Sequence, residues 1–383
     1  MTFINAFLCR KSRMIIAFLL LLQSTFAQSS FNKAGEWLKD NIGELGGRAV
    51  LVIWKDGKIV YNKAENEMNN KQKMITKFIA RRQGKDPAEV MKDFNSVTKE
   101  PIASCSKWLS AALAMTFVDE GKLNVNDSIG KFLPVMTTNG KGNIRIWQCL
   151  SHLTGIKTPS LKDTRELTNK ANSMEDAINN IALLPMEGEP GKTFHYSSAG
   201  LQIVAAVLEN LGGKNFETLF HDRIAVPCGM KDTDFGNGNV ALAAGSARSS
   251  AEDYLNFLVM ILNDGKYMGK QVLSRQSVFE MQRNRVTKDV TITYTPAEAG
   301  DWGYGFGEWV MDNPVMSTPL AGGIPGSERS TGVTSPGLFG SFPWVENKLH
   351  YAGFLFTFNI RTKGRNERYK ELKKIIDDAL RAN

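Results

Sequence analysis

The chain has 383 residues, 42% hydrophobic and 22% charged, with a formal net charge of +8. These values are ordinary for a soluble globular protein and exclude a disordered, collagen-like or multi-span membrane chain. The positive excess is too thinly spread to indicate a nucleic-acid partner, and Arg10, Lys11 and Arg13 of it precede the first apolar run.

That run, Met14 to Leu22, is followed by Gln23-Ser24-Thr25-Phe26-Ala27. Positive flank, short apolar stretch and small-residue exit make up the signature of a secretory signal peptide. The run is well short of the ~20 residues that a membrane span needs. The expectation is therefore a signal peptide over 1–27 and an exported chain over 28–383, periplasmic or extracellular, with no stable membrane span once the signal is removed. In an oxidising compartment Cys105, Cys149 and Cys228 permit one disulfide or none. His152, His195, His221 and His350 are scattered with no metal-ligand spacing, so no metal and no cofactor is expected.

Arg48 to Trp54 reads as a strand and Lys58 to Tyr61 as its partner, with Asp56-Gly57 as the hairpin turn. From Asn69 to Lys99 the chain is polar and basic, with Met74, Ile75, Phe78 and Ile79 at helical spacing. This predicts a surface excursion with a short amphipathic helix whose lysines form a solvated face. Ser104 to Glu120 is a helix with Trp108, Leu109, Ala112, Met115 and Phe117 on its apolar face, closed by Gly121. Further helices are expected at Met174–Leu184, Gly200–Leu211 and Asp253–Leu262. Aromatic residues and glycines then alternate from Trp302 to Val310, as in twisted strands near a site. The segments 339–345 and 348–359 read as strands, and 365–380 as a charged amphipathic helix. Strands at both ends with helices between predict an α/β fold of the α+β type. An antiparallel sheet built from both chain ends and flanked by helices (about 45–115 and 245–383) would carry an inserted, mostly helical subdomain (about 116–244).

Two tempting patterns fail. Pro190-Gly191-Lys192-Thr193 ends like a phosphate loop, but Met186 stands where the first glycine is required. There is also no G-x-S-x-G nucleophile elbow. Ser104-Cys105-Ser106-Lys107 survives because it follows Pro101 and opens an apolar helix. The hydroxyl and the amine then lie one turn apart on the same face, near the positive end of the helix dipole. The segment alone supports two readings equally: a nucleophile with its base, or a helix cap with a surface lysine.

A second constellation bears on that choice. Gly188 to Leu201 is a turn-rich run that presents Tyr196 and Ser198 at a helix entrance. Here the chain resembles the serine β-lactamase and penicillin-binding-protein superfamily, especially its class C-like branch of β-lactamases, esterases and D-amino-acid peptidases. In that family Ser-x-x-Lys is followed by a Tyr-x-Asn loop and then a Lys/His-x-Gly strand. The resemblance runs from about Arg48 to the C-terminus. It includes Glu120 to Asp127 after the nucleophile helix, Leu150-Ser151-His152-Leu153-Thr154-Gly155, Cys228-Gly229-Met230-Lys231-Asp232-Thr233, and the glycine-containing run Ala244 to Tyr254. Two positions depart from the pattern: Ser198 replaces the asparagine, and Ser335 of Ser335-Pro336-Gly337 replaces the Lys or His.

The resemblance implies that Ser104 is the nucleophile, that Lys107 and Tyr196 move its proton, and that water later releases the acyl-enzyme. It further implies an oxyanion hole from the backbone N–H groups of Ser104 and Leu338, with Ser198, Ser335 and Gly337 lining the substrate. His152 reads as a loop histidine satisfying local backbone groups. Three functions stay open: a hydrolase of small esters or amides, a β-lactamase or D-alanyl-D-alanine carboxypeptidase acting on peptidoglycan-like substrates, and a non-catalytic ligand-binding member of the fold. Intact Ser104, Lys107 and Tyr196 speak against the third, and the uncharged residues at 198 and 335 against the second.

Overall fold

Arg48–Lys55 (β1) is apolar at every position from Ala49 to Trp54, a pattern that fits a strand covered on both faces. The computed structural model describes residues 31–82, 84, 86–159, 171–312, 330–359 and 364–382, so the expected signal peptide lies outside the described residues. Asp56, at φ +49°, and Gly57 turn the chain into Lys58–Asn66 (β2). The other strands of the main sheet come from the second half of the chain. They are Gly303–Tyr304 (β3), Trp309–Val310 (β4), Gly332–Thr334 (β5), Phe342–Glu346 (β6) and Tyr351–Thr357 (β7). Their order is β2-β1-β7-β6-β5-β4-β3, and every pairing is antiparallel.

The principal helices are Asn32–Asn41 (α1), Asn70–Arg82 (α2), Ser106–Asp119 (α3), Met174–Ala182 (α4), Ala199–Gly212 (α5), Ala251–Leu262 (α6) and Arg365–Arg381 (α7). Val50 and Val52 of β1, with Phe354 and Phe356 of β7, point into a core shared with α3, α5 and α6. Leu51, Ile53 and Leu355 point the opposite way, against Trp37 and Leu38 of α1 and Leu372 and Ile376 of α7. The period-2 alternation of a strand thus supplies two cores at once.

Two helices differ from expectation. Ser104 lies in a 3₁₀ turn, Ala103–Cys105, and the α-helix proper starts at Ser106. That helix is buried on all sides from Ser106 to Phe117, so Lys107 is a core residue rather than a surface one. In α2 the apolar side chains Met74 and Phe78 face solvent instead of the protein. Cys105, Cys149 and Cys228 are buried, free thiols, so no disulfide joins them.

Candidate active site

The site is built around a strained turn. Glu100–Pro101 pairs with Arg248–Ser249, and the Ile102 N–H donates to the Ala247 carbonyl at 3.0 Å. Ala103 then adopts φ +47°, the left-handed region that residues with a Cβ avoid. Such strain costs of order 1–3 kcal/mol and persists only where the surroundings enforce it. Here the Ser106 hydroxyl donates to the Ala103 carbonyl (2.6 Å) and accepts from the Ala247 N–H (3.0 Å). The Tyr254 hydroxyl, from α6, holds the Cys105 carbonyl at 2.8 Å. Ser106 is thus committed to the backbone, while Ser104 remains partly exposed.

Lys107 lies beneath the turn, 1% exposed. Its Nζ is 3.1 Å from Ser104 Oγ and donates to the Ala244 carbonyl at 2.8 Å. Burial drives its pKa down to about 7, because the ammonium form loses hydration that the interior does not replace. Tyr196 closes the group. Its ring centroid is 4.8 Å from Lys107 Nζ, and its phenol hydrogen-bonds the Ser104 side chain. Burial raises the phenol well above its ordinary pKa, and the Ser104 hydrogen bond opposes this only in part. At neutral pH the group is therefore an amine that is about half in its neutral form, a serine hydroxyl and a protonated phenol, an arrangement that separates a base from an acid.

The loop carrying Tyr196 is held from several sides. Thr193–His195 runs parallel to Thr291–Tyr294, and the Tyr196 N–H donates to the Tyr294 carbonyl at 3.1 Å. Tyr196 stacks on Trp309 with centroids 5.2 Å apart. His152, at φ +58°, lies against it at 4.6 Å. His152 Nδ1 accepts from the Ser197 N–H at 3.4 Å, which leaves the proton on Nε2, 3.0 Å from the Tyr304 hydroxyl. Burial holds this imidazole well below its ordinary pKa, so it is neutral. His152 supports the tyrosine loop and does not touch Ser104 through any hydrogen bond described.

The strand segment after β5 completes the surroundings. Ser335 is buried, and its hydroxyl donates to the Gly307 carbonyl (3.0 Å) with the Ser104 carbonyl 3.3 Å away. It ties two backbones together. At Gly337 a Cβ would sit 2.4 Å from the Ile102 carbonyl oxygen, so only glycine lets this segment lie against the turn that carries Ser104. The Gly337 N–H donates to the Ser341 carbonyl, and Leu338 follows with an exposed side chain. Ser198 is buried at the N-cap of α5 and makes no side-chain capping bond.

Further residues shape the site without a role that the sequence pattern specifies. The segment 241–247 supplies the carbonyl that holds Lys107, and it is itself clamped. Gln202 donates to the Ala241 carbonyl and accepts from the Ala243 N–H, while Ser110 donates to the Ala243 carbonyl. A Cβ at Gly307 would meet the Lys107 carbonyl oxygen at 2.4 Å. The alternation of aromatics and glycines from Trp302 to Val310 was the visible signal: Tyr304 and Trp309 pack around Tyr196, and the glycines allow the close approach. Among the described residues, no group of three or more His, Cys, Asp or Glu side chains could hold a metal ion, and no helix is long and apolar enough to cross a membrane.

Comparison with known proteins bears on the family and the fold. The family model described as Beta-lactamase matches residues 40–375. Protein Rv1367c of Mycobacterium tuberculosis is 26% identical over 298 residues, covering 63% of this chain and 71% of that protein. A candidate beta-lactamase from Bacteroides dorei superimposes with a TM-score of 0.72 at 22% identity, over 92% of this chain and 99% of the other. EstCE1, a hydrolase with promiscuous acyltransferase activity, superimposes with a TM-score of 0.68 at 19% identity over the same shares of the two chains.

Proposed function

The chain belongs to the beta-lactamase family of serine hydrolases, and from that premise we propose that it is an exported enzyme that forms an acyl-enzyme on Ser104 and cleaves small neutral esters or amides. The observation that carries the reading is the 3.1 Å contact between Ser104 Oγ and the amine of a buried lysine whose pKa lies at about 7. Neutral Lys107 takes the hydroxyl proton as Ser104 Oγ bonds to the acyl carbon. The N–H groups of Ser104 and Leu338 stabilise the oxyanion. Tyr196 gives its proton to the leaving alkoxide or amine as the scissile bond breaks, and the Lys107 ammonium restores it. Water then attacks the ester of Ser104 with Lys107 again accepting a proton, and as the intermediate collapses the Lys107 ammonium returns that proton to Ser104 Oγ while the carboxylic acid product leaves.

The substrate follows from charge. Position 335 holds a serine whose hydroxyl is committed to carbonyl oxygens, and position 198 holds another serine. A substrate carboxylate buried beside them would lack the cation that Lys or His provides at 335 elsewhere in the family, at a cost of several kcal/mol. A neutral ester avoids that cost. Export rests on the basic flank, the apolar run from Met14 and the small-residue exit at Ala27, and N-terminal sequencing of the protein recovered outside the cytoplasm tests it.

The chemistry is tested by exposing the protein to a fluorophosphonate, a fluorescent penicillin and a panel of p-nitrophenyl esters, followed by mass mapping of the labelled peptide. Label on Ser104, with ester turnover exceeding β-lactam turnover by orders of magnitude, is the expected result. A kcat/KM for a cephalosporin above that of the best short-chain ester would overturn the substrate assignment in favour of a β-lactamase. Absence of any label would favour a binding role.

A further inference from the structure

Helix α2 is well made yet poorly buried. Asn69 and Gln72 exchange side-chain-to-backbone hydrogen bonds at 2.8 and 2.9 Å, a reciprocal cap at its N-terminus. Arg81 and Arg82 complement the dipole at its C-terminus. Its inner side is held by a Gln72 bond to the Gly43 carbonyl (3.0 Å) and a Thr76 contact with the Met68 sulfur (3.7 Å). Among its described side chains only Ala80 is buried. Met74, Ile75 and Phe78 are 65%, 39% and 58% exposed. At positions i, i+1 and i+4 they cover an arc of about 100° on the outward side. A helix in water gains stability by burying such an arc, and this one displays it.

The charges around the arc identify what would cover it. From Asn69 to Arg82 there are five Lys or Arg residues and no Asp or Glu. Helical spacing puts Lys71 and Arg82 on the arc itself and Lys77 and Arg81 beside its other edge, and the Arg82 guanidinium lies 5.7 Å from the Phe78 ring centroid. Long, flexible cations surrounding a small convex apolar wedge match a fluid anionic surface, where headgroups can move to meet each charge. They match a protein partner less well, because that would require a groove and fixed acidic acceptors.

We propose that α2 is an interfacial docking element that seats the protein on an anionic phospholipid bilayer, with Met74 and Phe78 inserted at the headgroup boundary. Each cation near such a surface multiplies affinity by about fivefold, and salt screens the effect. Docking leaves the Ser104 chemistry unchanged and confines it to substrates met at the membrane surface.

Hydrogen–deuterium exchange of the full chain tests this, read only on peptides spanning residues 70–82 so that the apolar run at the N-terminus does not contribute. Vesicles containing phosphatidylglycerol and phosphatidylcholine should protect those peptides, and pure phosphatidylcholine vesicles should not. The protection should fall at least tenfold in Met74→Ser/Phe78→Ser and in 0.5 M salt, with ester hydrolysis by that variant unchanged. The proposal is overturned by absence of local protection, by equal protection from uncharged vesicles, or by protection that survives the double substitution. Protection without lipid that rises with protein concentration would overturn it too, since a second copy would then be the occupant.

Discussion

Replacing Lys107 by methionine separates the catalytic role proposed for this residue from what it costs the fold. Burial lowers its pKa from 10.5 to about 7. At about 1.4 kcal/mol per pKa unit, keeping the lysine in the core costs roughly 5 kcal/mol wherever it is protonated in both states. Because the folded-state pKa is the lower one, the unfolded chain binds more protons between the two values. The cost is therefore complete below pH 7 and fades as pH rises towards 10.5. Methionine has similar volume and no charge, but it leaves the Ala244 carbonyl without its 2.8 Å donor, a loss of about 1–3 kcal/mol. Lys107→Met should accordingly be roughly 2–4 kcal/mol more stable than the parent at pH 7, and the gap should close by about pH 10. Urea denaturation at pH 6, 7, 8.5 and 10, followed by far-UV circular dichroism, measures it. The variant should also lose fluorophosphonate labelling, since general-base assistance contributes roughly 10²–10⁴-fold. A parent protein at least as stable as the variant at pH 6–7, or a gap that does not narrow with pH, refutes the argument that Lys107 is held against its hydration preference for function.

The same pKa sets the rate profile: kcat/KM for a p-nitrophenyl ester should rise about tenfold per pH unit up to near pH 7 and then level, and a limb still rising at pH 9 would point to a different base. Ser104→Ala should abolish acylation with folding intact. Ser106→Ala, which removes hydrogen bonds to Ala103 and Ala247, should keep the label on Ser104 and lower stability by about 1–3 kcal/mol; label migrating to Ser106 in the first variant would count against the nucleophile. Tyr196→Phe should lower kcat by 10²–10⁴ at near-native stability, whereas a decrease of less than tenfold in stopped-flow turnover would reduce the phenol to a packing role. Gly337→Ala forces a Cβ to within 2.4 Å of the Ile102 carbonyl oxygen. It should lower kcat more than tenfold through displacement of Leu338, and unchanged kcat would mean that this segment does not shape the oxyanion site.

The features legible in the sequence are the local and periodic ones. The Asp56-Gly57 turn, the unbroken apolar run of β1 and the apolar content of α3 all depend on residues within a few positions of each other. So does the separation of Ser104 from Lys107, because three residues along a helical turn always bring side chains to the same face. Ser198 and Ser335 could be noted as uncharged, but not that the Ser335 hydroxyl would be spent on the Gly307 and Ser104 carbonyls.

What only the tertiary structure decided concerns segments distant in the chain. Ala244 lies 137 residues from the lysine it holds, and Tyr304 lies 152 residues from His152. No periodicity encodes such pairings; they arise because Gln202 and Ser110 clamp the 241–247 segment over α3 and because the antiparallel sheet brings β3 and β4 beside the Tyr196 loop. Burial of Lys107, and with it a pKa lowered to about 7, depends on helices and loops closing around it from every side. The outward face of α2 is the converse case: the sequence shows an apolar spacing, but which side meets the protein is settled by the contacts of Gln72, Thr76 and Ala80. Sequence determines which side chains share a face of their own element; the assembled fold determines what that face meets, and therefore its hydration, its charge state and its chemistry.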